Sequence, residues 1–405
     1  MVGRRRRQAA DLQSQDVTPR RRRDAGVLHC SHQPHTEHMQ EDLLPQPLRT
    51  ASTLPARYYT DVESVRLDTA AIFGHGWHLL AHISQLSGSG DHVVTRIGSL
   101  PVIAVRGEDG TIRAFHNVCR HRAGPLAQCD GRGAKALRCR YHGWTYGLDG
   151  QLRSASEMAQ AEGFDIADIR LPEIHAHVWR GLVFATPNAD GSSPFGDLID
   201  GMAARLGQQH PLQEYGGHHH AAYDIACNWK VYVDNYLEGY HVPHIHPALN
   251  RLLDYRSYQT ETARWHSLQW SPLESTPDLY GEGEALYYWL WPNTMLNILP
   301  GRLQTNRIVP LGVDRCRVEF DTYYLDPSAP ESITRREADI AFSDEVQIED
   351  ITICEDVQRG LASGSYVAGR LNPLRESGVH HFHELLRDAY LMQHDPPPHR
   401  EMPRD

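Results

Sequence analysis

The 405-residue sequence has no apolar run long enough to cross a bilayer, so a membrane-embedded class is not expected. Its seven cysteines lack the dense spacing of a disulfide scaffold, which points to a reducing compartment, read here as the cytoplasm. It lacks basic charge in excess: a formal balance of −11 argues against nucleic acid as a partner. No Gly-rich dinucleotide fingerprint follows a strand, so this chain is not expected to bind a nicotinamide cofactor itself. What remains is a globular composition with 26 histidines, and these cluster.

The chain divides by composition. Residues 1–38 carry two arginine runs (Arg4–Arg7 and Arg20–Arg23) and few apolar residues, so they are expected to be disordered. No apolar segment follows these arginines, which excludes an export signal on that pattern. The tract His29–His38 has metal-binding composition but is read as a polar tail, and Met39 is a candidate alternative start. Residues 39–75 form an N-terminal segment with a helix expected from Thr60 to about Phe73. Residues 76–188 alternate apolar and polar residues and read as a small antiparallel β domain. Within it Glu108-Asp109-Gly110 marks a hairpin between Val102–Arg106 and Thr111–Phe115, and Asp149-Gly150 a second between Trp144–Leu148 and Gln151–Ser154. A Gly/Ser/Pro linker near Asp190–Pro194 opens a second domain, 189–392, followed by a tail, 393–405.

Two tight pairs lie inside the β domain: Cys119-Arg120-His121 and Cys139-Arg140-Tyr141-His142. Two Cys and two His in paired loops suit a tetrahedral zinc or a Rieske 2Fe–2S cluster. Zinc ribbons favour two residues between paired cysteines, whereas Cys-x-His followed by Cys-x-x-His is the Rieske spacing. Cys129, between the pairs, reads as a structural thiol. His218-His219-His220 reads as surface, because consecutive side chains cannot all face one ion.

The stretch NWKVYVDNYLEGYHVPHIH (228–246) opens like a helix, with Trp229, Tyr232, Tyr236 and Tyr240 on one stripe. Asn235, Glu238 and His241 follow at steps of three, and Pro243 is expected to end or kink the helix just after His241. The turn lets His241 and His246 converge with a carboxylate, the ligand set of a non-haem Fe(II) oxygen-activating centre, and Glu238 is the nearest candidate acid. A later helix, Ser343–Gly364, offers another. Val346, Asp350, Cys354, Val357 and Leu361 recur at steps of four and three, setting Asp350 on an apolar face where a carboxylate requires a cation. Glu349 is the fallback. Tyr287–Pro310 alternates like strands, with Tyr287, Trp289 and Trp291 on one face and Tyr288 on the other.

The loops CRHRAGPLA (119–127) and CRYHGWTYGLDG (139–150), with the Tyr-His-x-x-x-x-His element at 240–246, resemble the Rieske-type non-haem iron oxygenases, catalytic alpha subunit. The resemblance spans about residues 45–390. It implies an α+β fold, with a small antiparallel β Rieske domain beside a helix-grip (START-like) catalytic domain built from an antiparallel sheet and long helices. By the same resemblance Cys119 and Cys139 bind one cluster iron and His121 and His142 the other. His241, His246 and Asp350 then hold the mononuclear Fe(II), as the family takes its carboxylate near a Val-Gln-Arg-Gly element, here 357–360. Glu238 becomes a catalytic acid, with Asn235 beside it, that bridges a cluster His and an iron His across a subunit interface. His380, His381 and His383 resemble part of an outer helix and read as structural.

Further implications are O2 as co-substrate, a separate NAD(P)H-dependent ferredoxin-type reductase as partner, and a homotrimer. NYLEGYHVP and Val-Gln-Arg-Gly-Leu are most similar to the branch holding choline monooxygenase, glycine betaine demethylase and carnitine oxygenase. That branch implies a methylated or quaternary ammonium substrate, with Tyr287, Tyr288, Trp289 and Trp291 as candidate cation-facing aromatics. Ring dihydroxylation or O-demethylation of an arene is the alternative.

Overall fold

The computed structural model describes residues 41–188, 194–273, 279–328 and 330–394. The expectations for residues 1–38 and Met39, for most of the linker near Asp190–Pro194 and for all but the first two residues of the tail lie outside these. The described chain is α+β, with antiparallel β units and long helices as expected.

Alternating Val and Ile build the first unit. β1 (His78–His82), β2 (His92–Ile97), β3 (Leu100–Arg106), β4 (Ile112–His116), β8 (Glu173–Trp179) and β9 (Leu182–Thr186) form a sheet ordered β1-β9-β8-β4-β3-β2. Between β4 and β8 the chain makes a three-stranded sheet from β5 (Leu137–Arg138), β6 (Thr145–Tyr146) and β7 (Leu152–Ser154). Both hairpins anticipated from Asp-Gly pairs are present, the first pairing Arg106 with Ile112. Gly110 sits at φ +79° in that turn, a conformation an L side chain resists.

The second unit is a seven-stranded antiparallel sheet. β10 (Gly216–Ile225) pairs with the last strand of a meander: β11 (Gln259–Thr262), β12 (His266–Pro272), β13 (Glu284–Leu290), β14 (Thr294–Leu299), β15 (Arg302–Pro310) and β16 (Cys316–Tyr324). Alternation on β15 sends Arg302, Gln304 and Asn306 to a cavity and Leu303 to an apolar cluster on the other face. Arg307 bonds Thr95 of β2, so the sheet meets the first unit.

Five helices matter for the site. α1 (Val62–Asp68) realises the expected N-terminal helix and runs on as a wider turn to Phe73. α2 (Trp229–Tyr236) starts at Asn228, whose side chain accepts from the Lys230 amide, and buries Trp229 and Tyr232. It ends at Tyr236, five residues before His241, the end expected from Pro243. The Glu238 carboxylate takes the amides of Tyr240 and His241, diverting them from the helical ladder. Gly239 packs so close to Tyr258 that an added Cβ would lie 2.7 Å from its ring. Tyr240 is therefore 45% exposed rather than part of the buried stripe. Pro243 opens α3 (Val242–Ile245) instead of closing a helix, a position where its missing N–H costs nothing.

α4 (Pro330–Ala362) begins thirteen residues before the expected start and ends two residues short of Gly364, which turns left-handed at φ +74°. Val357, assigned by periodicity to the apolar face, is 44% exposed. α5 (Ser377–His394) carries His383, fully buried between Asp234 and Leu54, consistent with a structural role.

Two buried histidines on β1 make the fold acid-sensitive. His78 sits near the Phe73 carbonyl and His82 near the Leu212 carbonyl, and burial pushes both down to about 4. Since the folded value lies below the unfolded one, the unfolded chain takes up the protons first as pH falls. Stability present above about pH 6.5 is then lost down to about 4, by roughly 1.4 kcal/mol per group per pH unit. Denaturant titrations at pH 7, 6 and 5 are expected to give steadily lower stability, and His82→Gln a shallower slope. An unchanged slope in the variant would refute the assignment.

Candidate functional site

The two Cys/His loops share one geometry. The Cys119 amide donates to the Gly124 carbonyl (2.8 Å) and the Ala123 amide to the Cys119 carbonyl (3.0 Å). The second loop repeats this with Cys139 and Trp144 (2.9 Å) and Gly143 and Cys139 (3.0 Å). Ala123 (φ +56°) and Gly143 (φ +75°) close the loops in left-handed conformations. The sulfurs of Cys119 and Cys139 are buried and free, and a Cβ on Gly124 would come within 3.0 Å of the Cys139 sulfur.

The imidazoles of His121 and His142 stand 4.5 Å apart, and His121 stacks on Trp144 at 4.8 Å. His121 Nδ1 is buried and has no hydrogen-bond partner among the described residues, which leaves it open to a ligand. Among the described residues, only two groups bring three donor atoms within 4.8 Å of one another, and these four side chains are not in either. Donors spread this way suit two irons better than one zinc. Sequence reading missed Tyr146: its hydroxyl accepts from the Arg120 amide and lies 3.3 Å from the Cys119 sulfur, where either atom can donate. Burial, then the thiol beside it, holds that phenol above its ordinary pKa, so it keeps its proton.

The second centre joins α2, α3 and α4. His241, His246 and Asp350 bring one donor atom each within 4.8 Å of one another. Asp350 Oδ1 lies 3.0 Å from His246 Nε2 and 3.9 Å from His241 Nε2, and accepts from Asn235 Nδ2 at 2.6 Å. On the far side of each ring stands another acid. His241 Nδ1 is 2.6 Å from Glu238 Oε1, and His246 Nδ1 is 2.7 Å from Glu349 Oε2. Glu349, the fallback ligand, is therefore positioned as an orienting partner, and Asp350 as the converging acid. With each Nδ1–H donated outward, both Nε2 lone pairs turn towards Asp350, the disposition that carboxylate–histidine pairs impose at metals. Burial disfavours a charged His246, yet Asp350 and Glu349 outweigh it and raise its pKa, so the pocket attracts positive charge. These residues fit one divalent iron.

The cavity over this centre is lined by Tyr232, Tyr236, Tyr258, Tyr280 and Tyr287, by Phe320 and Phe342, and by Arg302. Of the four aromatics named at 287–291, only Tyr287 reaches it. Trp289 and Trp291 lie further along the same strand face, in the main core, and Tyr288 in a separate apolar cluster on the opposite face. The other His/carboxylate group is His218, His220 and Asp321, with both rings on one Asp321 oxygen at 2.7 and 2.9 Å. The two histidines are exposed, as read, but alternate residues on β10 share a face, which the reading of three consecutive rings overlooked. Arg307, 3.8 Å from the other Asp321 oxygen, already supplies a permanent cation there.

Residues 76–170 match the Rieske [2Fe-2S] domain family, and residues 212–392 the family described as ring hydroxylating alpha subunit (catalytic domain). Chloroplastic choline monooxygenase of Arabidopsis thaliana is 37% identical over 358 residues, covering 84% of this chain and 83% of its own. The carnitine monooxygenase oxygenase subunit of Escherichia coli (strain K12) is 30% identical, covering 84% and 94%. The solved structure of a quaternary ammonium Rieske monooxygenase superposes with a TM-score of 0.79 at 26% identity, covering 86% and 99%.

Proposed function

Because the chain belongs to the Rieske-type ring-hydroxylating alpha-subunit oxygenases, we propose that it hydroxylates or N-demethylates a methylated or quaternary ammonium compound. It is an oxidoreductase with a Rieske 2Fe–2S domain and a mononuclear-iron catalytic domain, acting with O2 on a small molecule. The domain division we propose is 39–75, 76–188 and 189–392.

The observation that carries the substrate class is the cavity lining. Tyr236 and Tyr258 are held neutral by burial, which raises both phenols well above their ordinary pKa. The hydroxyl of Tyr236 is tied to Asn297 and that of Tyr258 to Gln269, which fixes their rings at the cavity wall. Neutral aromatic faces attract a quaternary cation by roughly 0.5–2 kcal/mol per contact, and the carboxylate of Glu238 adds to the attraction. The relatives named above act on choline and carnitine, which are ammonium compounds of this kind.

In this reading Cys119, Cys139, His121 and His142 hold the cluster, and His241, His246 and Asp350 hold the iron. When bound there, the cluster would supply electron relay and the iron the O2 chemistry for oxidising a C–H bond. The protein's own part is positional. Glu238 and Glu349 fix the two imidazoles, Asn235 fixes Asp350, and the tyrosines orient the cation.

A homotrimer and a separate NAD(P)H-dependent reductase complete the proposal. Tyr141 and the arginines Arg120, Arg122 and Arg140 are exposed around the cluster loops. A second recess reaches Glu238 and His241 from the other side and is edged by Asp234 and Glu376. These opposite charges suit a head-to-tail contact between copies, with Glu238 between the two centres. A cytoplasmic location rests on cysteine usage. No helix among the described residues is long and apolar enough to cross a membrane.

The test supplies NADH, a surrogate reductase and isotopically labelled O2 to the holoenzyme, with methylated ammonium compounds and simple arenes. A product with one labelled oxygen, or loss of a methyl group as formaldehyde, is expected from an ammonium compound. Two labelled oxygens on an arene would overturn the proposal.

A further inference from the structure

Arg302, at the head of β15, is buried, and its guanidinium is only partly used. Nε donates to Asp339 Oδ2 at 2.7 Å, and Asp339 is completed by the hydroxyls of Tyr280 and Tyr324. The two terminal nitrogens of Arg302 have no hydrogen-bond partner among the described residues, although the side chain lines the same cavity as His241, His246 and Asp350. Neither nitrogen is sealed off from solvent, so both stay open to water in the cavity, which a ligand oxygen can displace without competing against a protein acceptor. An ion pair serving structure alone would have its remaining donors met by carbonyls. No other lysine or arginine is among the described residues lining the cavity.

We propose that Arg302 is an anchor for a carboxylate on the substrate. The class acted on is then a zwitterion, with an ammonium group towards Glu238 and the tyrosines and a carboxylate towards Arg302, rather than an amino alcohol. This rests on the ammonium reading of the cavity and narrows it. The free edge of a guanidinium presents two parallel N–H donors, which match the two oxygens of a carboxylate. Asp339 already offsets one unit of charge, so the edge suits a monoanion better than a phosphate dianion.

Binding to the full-length holoenzyme is measured by calorimetry for 4-trimethylammoniobutyrate, its methyl ester, choline and phosphocholine. The acid is expected to bind at least 10-fold more tightly than the ester, which keeps shape and cation but loses the anion. In Arg302→Gln the acid is expected to weaken by 10- to 100-fold while the ester and choline stay within about 3-fold, with Arg302→Lys recovering part of the loss. In turnover the loss falls on KM rather than kcat. The acid–ester comparison needs only the native protein, so poor folding of a variant does not shield the proposal. Equal binding of acid, ester and choline would overturn the carboxylate anchor and leave the ammonium reading standing. Tighter binding of phosphocholine would overturn the assignment to a carboxylate. Binding of none of the four would overturn both readings.

Discussion

Asp350→Ala is expected to lower turnover by roughly a thousandfold, about 4 kcal/mol, while the visible spectrum of the 2Fe–2S cluster stays unchanged. The substitution removes the oxygen that faces Nε2 of both imidazoles and frees the Asn235 amide that held it. Two histidines alone make a poor iron site, so iron per subunit is expected to fall towards the cluster's two. Glu349→Gln keeps the convergence and only loosens His246, so its iron affinity is expected to drop 10- to 100-fold, the usual penalty for a lost orienting partner. Metal analysis beside turnover separates the two. If Asp350→Ala kept full iron and rate while Glu349→Gln lost both, the roles would be reversed.

The second large effect concerns stability. Asp68→Asn is expected to cost about 3–5 kcal/mol, because it leaves a buried ammonium without its counter-charge. Asp68 Oδ2 lies 2.5 Å from Lys230 Nζ and accepts from Trp229 Nε1 at 2.7 Å, and its other oxygen accepts from the Tyr390 hydroxyl. Lys230 is fully buried, and burial lowers its pKa despite Asp68. One carboxylate thus joins α1, the start of α2 and α5. Lys230→Met strands a carboxylate that keeps two donors, so it is expected to cost less, and the double variant less than Asp68→Asn alone. Thermal unfolding is expected to show losses of roughly 5–15 °C for Asp68→Asn. Strict additivity of the two single changes would contradict the coupling.

How much of this was legible in the sequence depended on range. The cluster loops were readable because each is closed by bonds within six residues, so spacing alone carries their geometry. His241 and His246 were equally local. The choice between Glu349 and Asp350 was not, since adjacent residues of one helix reach opposite nitrogens of the same imidazole. The end of α2 was misplaced for a related reason: Glu238 competes for backbone amides through its side chain, an event that tyrosine periodicity does not record. The first turns of α4 are too polar to show a stripe, and are held instead by long-range bonds such as Tyr280 and Arg302 to Asp339. On β13, parity correctly sets Tyr287 and Trp289 on one face, but only the fold decides that the cavity stops between them. Arg302 gave no local signal at all, being one more charged residue in a strand.

α4 carries both Asp350, which lines the cavity, and Asp339, which holds the cavity-lining Arg302. These residues are three turns apart on one helix face, so their spacing is fixed by the helix. A rigid helix used this way is a ruler. If the carboxylate is clamped at the Arg302 mark, the carbon lying at the iron mark is chosen by counting bonds from that clamp. Substrate length would then set regiochemistry: an added methylene moves the oxidised position along the chain instead of excluding the molecule.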